Sequence, residues 1–478
     1  MSQIFEKKGI TKKSDNISDW YIDVITKSEM ADYSPVRGCI VYRPLSYAVW
    51  ENIQKFLDPL LKEQGVENSY FPLFIPESFL KKEASHIEGF SPELAIVTIG
   101  GGEVLEEKLA IRPTSETIMY AMYSKWIQSH RDLPLKLNQW NNVVRWEKRT
   151  YFFLRGAEFL WQEAHTAHST HSECWTQVID ALDSYAKTYE ELLAIPVVKG
   201  LKSQSEKFAG ADNTTTTEIM MPDGKALQGA TSHDLGQNFS KAFEISFQNE
   251  KGENEFVYQT SFGYSTRALG ALVMIHADDQ GIVLPPKVAP IQVVIIPIKE
   301  SSIVAHTAVN TKLSLEDKGV RVKLDVKPEN TLGYKRNYYE LKGIPIRLEI
   351  GEKELEKGVI SISIRHNNQK QEIPIDQIAI EIPAILETIQ SEMFEKALQM
   401  QKDLTSNANT FDEFKQIMTT RRGFIKALWC EDSKCEEEIK EKTKATTRCL
   451  PIESPQENGS CFHCNKNAKY RWIFAQAY

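Results

Sequence analysis

The sequence predicts an α+β protein in three units: an antiparallel sheet with helices, then an α/β unit, then a small cysteine-bearing unit. Three observations carry this. Over roughly the first 280 residues, helical and alternating apolar patterns succeed one another irregularly. At "GIVLPPKVAPIQVVIIPI" a proline pair precedes a continuous apolar run, the pattern of a linker followed by a strand buried on both faces. Five of the seven cysteines (Cys430, Cys435, Cys449, Cys461 and Cys464) crowd the end of the chain, while Cys39 and Cys174 are isolated. Such crowding points to a local device and not to a disulfide framework. The expected limits are 1–285, 286–383 and 384–478.

The elements follow in order. From Tyr42 to Lys62, Leu45, Val49, Ile53, Phe56, Leu57, Leu60 and Leu61 recur at helical spacing. "GVENSYFPLFIPES" turns on Gly65 and gives a short strand ending near Pro76. A helix follows "RPTSE", through "TIMYAMYSKWIQSH". "THSECWTQVIDALDSYAKTYEELLAI" reads as a long amphipathic helix, with Thr170 and Glu173 at capping-box spacing. Residues near 200 to 262, "QGATSHDLGQNFSKAF" among them, read as an antiparallel sheet, and "STRALGALVMIH" as a buried helix after it. "RVKLDV", "YKRNYYELKG", "IPIRLEI" and "GVISISIR" then repeat strand and helix patterns to about residue 382. Two helical segments lead into the cysteines, and no internal repeat is evident.

Composition sets outer bounds. A net charge of −8 over 478 residues argues against a generally basic nucleic-acid binder, though not against one held by local patches. The polar, lysine-bearing start "MSQIFEKKGITKKSDN" has no apolar core of a signal peptide. No apolar run approaches bilayer-spanning length. The expectation is a cytoplasmic protein without a membrane segment.

The chemistry concentrates in "RWEKRTYFFLRGAEFLWQEAHTAH", residues 145–168. Read as a helix, His165, His168 and His171 form a stripe that can bind zinc, but no H-E-x-x-H motif accompanies it. Read as a strand, Phe159, Trp161, Glu163 and His165 share one face. Arg145 and Glu147 share a face of the preceding strand, with "KRTYFFL" as the loop between. Two such strands make a ligand floor, with cations for phosphate, an aromatic for a ring and a carboxylate for an amine. An ordinary ion-paired sheet surface fits the same local pattern. At the far end, Cys430-x4-Cys435 and Cys461-x2-Cys464 give two arms of a tetrahedral structural zinc site, with Cys449 outside it. A reduced, metal-free cluster is the alternative.

Arg-x-Glu, a loop, then Arg-x-x-x-Phe-x-x-x-acid resembles the second motif of class II aminoacyl-tRNA synthetases, through Arg145, Glu147, Arg155, Phe159 and Glu163. The helix and strand ending in "YFPLFIP", with Pro72, resemble motif 1, and "GYSTRALGALVMIH" resembles motif 3, entered through Arg267. Within that class, "RPTSETIMYAMYSKWIQSHRDLPLKLNQWNNVVRWE", "FLWQEAHTAH", "KFAGAD" and "QGATSHDLGQNFSKAFEI" are similar to the prolyl-tRNA synthetases of the archaeal and eukaryotic type. The resemblance implies a class II catalytic domain, an α/β anticodon-binding domain and a zinc-bearing C-terminal domain. It also implies a homodimer formed through motif 1. The chain has no room between motifs 2 and 3 for the large editing insertion of the bacterial type, so misactivated alanine or cysteine would go uncorrected in cis.

The resemblance further implies ligand roles. L-Proline, ATP with Mg²⁺, and proline tRNA are the expected partners, and Zn²⁺ is the expected structural ion. Arg145 and Arg267 are the expected catalytic residues, Arg145 contacting the α-phosphate and the proline carboxylate. Arg155 and Arg267 are expected on the outer phosphates, Glu147 and Phe159 on adenine, and Gln228, Thr231 and Ser265 along the nucleotide. For proline the expected set is Phe90, Thr114, Glu116, Arg145, Trp161, Glu163, His165 and His233, leaving His168 and His171 outside the chemistry. Lys335, Glu340 and Arg347 are expected to read the anticodon, and Cys430, Cys435, Cys461 and Cys464 to hold the zinc. Gly156 and Ser265 stand where relatives commonly carry threonine, and the motif 2 loop is shorter than in many eukaryotic relatives. The rival readings are a class II synthetase for threonine, serine or glycine, a non-catalytic synthetase-like protein, and a zinc hydrolase on the three histidines.

Overall fold

The computed structural model describes residues 9–86, 94–298 and 301–478. Helix α1 (Pro44–Glu63) starts on a proline and buries Val49, Trp50, Ile53, Leu57 and Leu61, the helical stripe expected from their spacing. Helix α2 (Glu116–Trp126) follows the "RPTSE" block. Strands β1 (Leu135–Val144) and β2 (Glu158–His168) pair antiparallel, with Leu135 opposite Ala167 and Val144 opposite Glu158. Helix α3 (His171–Lys187) carries the expected capping box: Thr170 accepts from the Glu173 amide while the Glu173 side chain returns to Thr170.

Strands β3 (Val198–Leu201), β4 (Asn213–Met220), β5 (Ala226–Gly236) and β6 (Tyr258–Ser265) continue the sheet, and β6 lies against β2. Helix α4 (Arg267–His276) follows. One core joins residues of α1, α3 and α4, including Trp50, Tyr185 and Leu269, to Ala164, Phe262 and Tyr264 of the sheet. That packing fixes the sheet from one side and leaves the other side for the cavity described below.

The second sheet contains β7 (Val293–Pro297), β8 (Val322–Leu324), β9 (Ile346–Ile350), β10 (Val359–Ile364) and β11 (Lys370–Pro374), in the order β8-β7-β9-β10-β11. The first three are mutually parallel and the rest antiparallel. Helix α5 (Ser302–Asp317) crosses from β7 to β8, and α6 (Leu332–Leu341) from β8 to β9. The long helix α7 (Ile378–Asp403) packs Ile378, Ile382, Leu386, Ile389 and Met393 into this sheet's core. The limit expected at 383/384 falls inside this helix.

The last stretch holds β12 (Thr405–Asn407), α8 (Phe411–Thr420), β13 (Phe424–Trp429), α9 (Ser433–Thr443), β14 (Thr446–Pro451) and β15 (Tyr470–Ala475). These four strands do not form a separate sheet. Strand β14 pairs with β3, Leu450 opposite Leu201 and Pro451 opposite Gly200, so the first sheet runs through eleven strands. Gly200 permits the approach, since a Cβ there would lie 2.5 Å from the Cβ of Cys449. Beside the seam, buried Glu218 of β4 takes Lys202 Nζ at 2.7 Å and Arg448 of β14 at 2.8 Å. A buried carboxylate needs such partners, and two cations satisfy it across the seam.

Candidate active site and metal centre

The far side of the first sheet encloses a cavity of about 300 Å³. Twelve of the expected residues line it: Thr114, Glu116, Arg145, Phe159, Trp161, Glu163, His165, Gln228, Thr231, His233, Ser265 and Arg267. The alternation along β2 does what a strand must, turning Phe159, Trp161, Glu163 and His165 to one face. Residues 231, 233, 261, 263 and 265 line the cavity from β5 and β6 in the same way.

Glu163 is the most heavily bonded group in the cavity. Its carboxylate accepts from the Ser115 amide at 3.1 Å, Gln139 Nε2 at 2.8 Å and Asn141 Nδ2 at 2.7 Å, and from the Ser115 hydroxyl. His165 Nε2 lies 3.2 Å from it, and the other ring nitrogen lies 3.2 Å from the Tyr120 hydroxyl. Burial pushes this carboxyl up, but the bond and charge of His165, with the Ser115 and Asn141 bonds, outweigh burial and hold it at about 2. It is therefore an anion at neutral pH, fixed in place. Beside it, buried Glu116 accepts a short hydrogen bond from the Thr114 hydroxyl.

Two guanidinium groups face this acid wall. Arg145 donates from Nε to the Pro113 carbonyl at 3.1 Å, and its head lies 5.5 Å from the Phe159 ring centre and 5.4 Å from that of Trp161. Arg267 donates to the Leu154 and Gln228 carbonyls, both at 3.2 Å. Burial lowers both from the usual arginine range, yet a guanidinium stays charged. Burial, then His165, lowers His233 to about 3, so it is neutral at pH 7. Trp161 Nε1 and Ser261 Oγ are buried in the wall with no hydrogen-bond partner. Unpaired donors of this kind are costly unless a bound molecule takes them.

Some expected members stand apart. β1 ends at Val144, so Glu147 leaves the sheet and pairs with Arg155 at 2.9 Å outside the cavity wall. Phe90 lies outside the described residues. A Cβ on Gly156 would meet the Glu158 carbonyl oxygen at 2.8 Å, which accounts for glycine on this backbone. The three histidines do not converge. His168 is buried against Thr166, and His171 lies on Asp234 at 3.0 Å. Sequence reasoning missed Glu206, Phe208, Thr214 and Ser261 in the wall, and also Ser115, Gln139 and Asn141 behind Glu163. The polar alternation in "LNQWNN" was the available signal for the last two.

In the second unit, Glu340 and Arg347 line one cavity of about 460 Å³ together with Arg336, Arg365 and Lys370. Lys335 does not join them; it is buried on Asp325 at 3.3 Å. In the third unit, Cys430, Cys435, Cys461 and Cys464 bring their sulfurs within 4.8 Å of one another. Cys430 and Cys464 are 3.4 Å apart, and Cys435 and Cys461 are 3.8 Å apart. Zinc–sulfur bonds of about 2.3 Å give tetrahedral edges of about 3.8 Å, so the four thiols fit that ion. Cys449 is buried in a different cluster.

The chain matches three family models: the class II tRNA synthetase core domain (G, H, P, S and T) over 102–276, the anticodon-binding domain over 292–385, and the prolyl-tRNA synthetase C-terminal domain over 411–478. It is 49% identical over 470 residues to proline--tRNA ligase 2 of Clostridioides difficile (strain 630), covering 98% of each chain. It is 50% identical over 481 residues to proline--tRNA ligase of Chlorobium chlorochromatii (strain CaD3), covering 98% of this chain and 99% of that one. The crystal structure of prolyl-tRNA synthetase from Cryptosporidium parvum, complexed with halofuginone and AMPPNP, superimposes with a TM-score of 0.94 at 45% identity, over 98% and 99% of the two chains. Three domain matches in order and near-complete coverage by relatives of this length lead to one conclusion: the chain belongs to the prolyl-tRNA synthetases, class II, of the archaeal and eukaryotic type.

Proposed function

We propose that this chain activates L-proline with ATP to prolyl adenylate and passes the prolyl group to the 3′ end of proline tRNA. The observation that carries the reading is one small cavity whose lining sets the Arg145 and Arg267 guanidinium groups against two buried glutamates, Glu116 and Glu163, beside an aromatic wall. A zwitterionic amino acid and a polyphosphate together match that charge pattern.

In the first step a proline carboxylate oxygen bonds to the α-phosphorus and pyrophosphate leaves. In the second, a terminal ribose hydroxyl of the tRNA attacks the prolyl carbonyl and AMP leaves. Neither step needs a protein nucleophile, and positioning with charge stabilisation suffices. Arg145 holds the carboxylate against the α-phosphate, and Arg267 and Arg155 hold the outer phosphates of ATP, which enters as its Mg²⁺ complex. Glu147 exchanges its bond to Arg155 for the adenine amine, Phe159 stacks on the ring, and Gln228, Thr231 and Ser265 line the nucleotide. Glu116 and Thr114 take the secondary ammonium of proline. Trp161, His165, His233 and Phe90 enclose its ring, and Glu163 keeps that wall in register.

We read 1–285 as the catalytic unit, 286–383 as the anticodon reader and 384–478 as the zinc-bearing unit. Lys335, Glu340 and Arg347 suit guanine edges, and the paired cavity residues support the last two more directly. Cys430, Cys435, Cys461 and Cys464 hold a structural zinc ion, which ties the two cysteine arms together. Exposed Tyr33, Val41, Tyr47, Tyr70 and Phe74 form apolar surface near motif 1 that a second copy would cover in a homodimer. Among the described residues no helix is long and apolar enough to cross a membrane, and we assign the protein to the cytoplasm.

The test is ATP–pyrophosphate exchange with each amino acid in turn, before any tRNA is added. The expected result is exchange with proline, lost on Arg145→Ala. Exchange with a different amino acid and not with proline overturns the pocket assignment.

A further inference from the structure

Glu206 and Phe208 of the cavity wall belong to the loop 202–212 between β3 and β4, and this loop is held from the third unit. Glu436 in the first turn of α9 is buried. Its Oε1 accepts from Ser203 Oγ at 3.0 Å and from the Thr447 hydroxyl, and its Oε2 accepts from the Ser205 hydroxyl. One turn on, Lys440 Nζ lies 3.6 Å from Glu206. Spacing of four puts Glu436 and Lys440 on one helix face, so the same face addresses the loop twice.

From Ser203 the connection continues into the site. The Ser203 carbonyl accepts from the amides of Glu206 at 3.2 Å and Lys207 at 2.9 Å, which closes the turn. The Phe208 amide donates to Thr214 Oγ1 at 2.9 Å. That leaves the Thr214 proton for His233 Nδ1, 3.0 Å away. The Phe208 ring lies over His233 with centres 4.6 Å apart. The seam itself is already joined by β14 on β3 and by the Glu218 cluster. A further buried carboxylate gathering three hydroxyls adds orientation to that joint, because each such bond is directional and costly to leave unmade.

We propose that Glu436 is a positioning residue for proline binding, acting through Ser203 and Ser205 to set Glu206 and Phe208, and through Phe208 the His233 ring. The proposal rests on reading the cavity as the proline site. It places a determinant of amino-acid affinity in the cysteine-bearing unit, about 170 residues in sequence beyond the last of the pocket strands.

The experiment uses the full chain with Glu436→Ala, Glu436→Gln, Ser205→Ala, and the combination of Glu436→Ala with Ser205→Ala. Steady-state exchange gives kcat and KM for proline and for ATP, and brief trypsin treatment reads cutting after Lys207. The expected result is a KM for proline raised about tenfold in Glu436→Ala, with kcat and the KM for ATP within about twofold. Lys207 is cut faster, Glu436→Gln recovers most of both effects, and adding Ser205→Ala to Glu436→Ala changes little further. Unchanged constants with only a lowered melting temperature overturn the proposal, as does a fall in kcat at constant KM. If Glu436→Ala does not fold, Ser205→Ala carries the same prediction from the other side. If the unsubstituted chain shows no proline-dependent exchange, the parent reading fails, while the trypsin arm still reports whether Glu436 holds the loop.

Discussion

His168 and His233 are imidazoles that the fold keeps uncharged. His168 sits against Thr166 with its Nδ1 unpartnered, and burial, then Lys136, lowers it to about 4; His233 is held at about 3. For a base whose folded pKa lies below its unfolded value, the unfolded chain binds more protons between the two. Their stabilising contribution is full above pH 6.5 and is lost as pH falls toward 4 and 3. Each costs up to about 1.4 kcal/mol per pH unit in that window. Glu163, held at about 2, has the same sense in a lower window: its contribution is complete above pH 4.5 and fades only toward pH 2. Urea midpoints measured from pH 7 to pH 5 should therefore fall, and His168→Asn should flatten the slope. An equal slope in both proteins would remove His168 from the account. At this scale the sequence revealed the ligands better than their supports. Phe159, Trp161, Glu163 and His165 follow from alternation on one strand. Phe208 and Ser261 come from other strands and loops, and no local pattern ties them to that face.

Elements were legible where local chemistry decides them. The capping box at Thr170 and Glu173 was predicted from three-residue spacing and is present on α3. Because α3 packs on the back of the sheet and not in the cavity, Thr170→Ala should lower unfolding free energy by about 1 kcal/mol and leave proline-dependent exchange unchanged. Denaturant unfolding beside exchange kinetics checks both halves. Strand β1 was predicted too long: the expectation carried it to Glu147, whereas pairing ends near Arg145, whose amide meets the Ala157 carbonyl at 2.8 Å. Arg155 draws Glu147 out of line by an ion pair that alternation cannot register. The segment "RVKLDV" yields only Val322–Leu324 as strand, because Asp325 turns to Lys335 and Tyr339.

At the scale of the whole molecule, three units in order were legible from the proline pair and the cysteine crowding. The join between the first and third was not. Leu450 meets Leu201 across about 250 residues of chain, and pairings at such separation leave no periodic trace. The continuous sheet has a consequence for any shortened form of this chain. Removing residues 405–478 would strip β14 from β3 and bare a row of backbone amides and carbonyls along a new sheet margin, with Gly200 carrying no side chain to block a newcomer. Unprotected strand margins recruit strands from other molecules. The shortened protein should therefore self-associate beyond any dimer in light scattering while the full chain does not. The cysteine-bearing unit would then serve, besides its other roles, as the guard that keeps the catalytic sheet from polymerising.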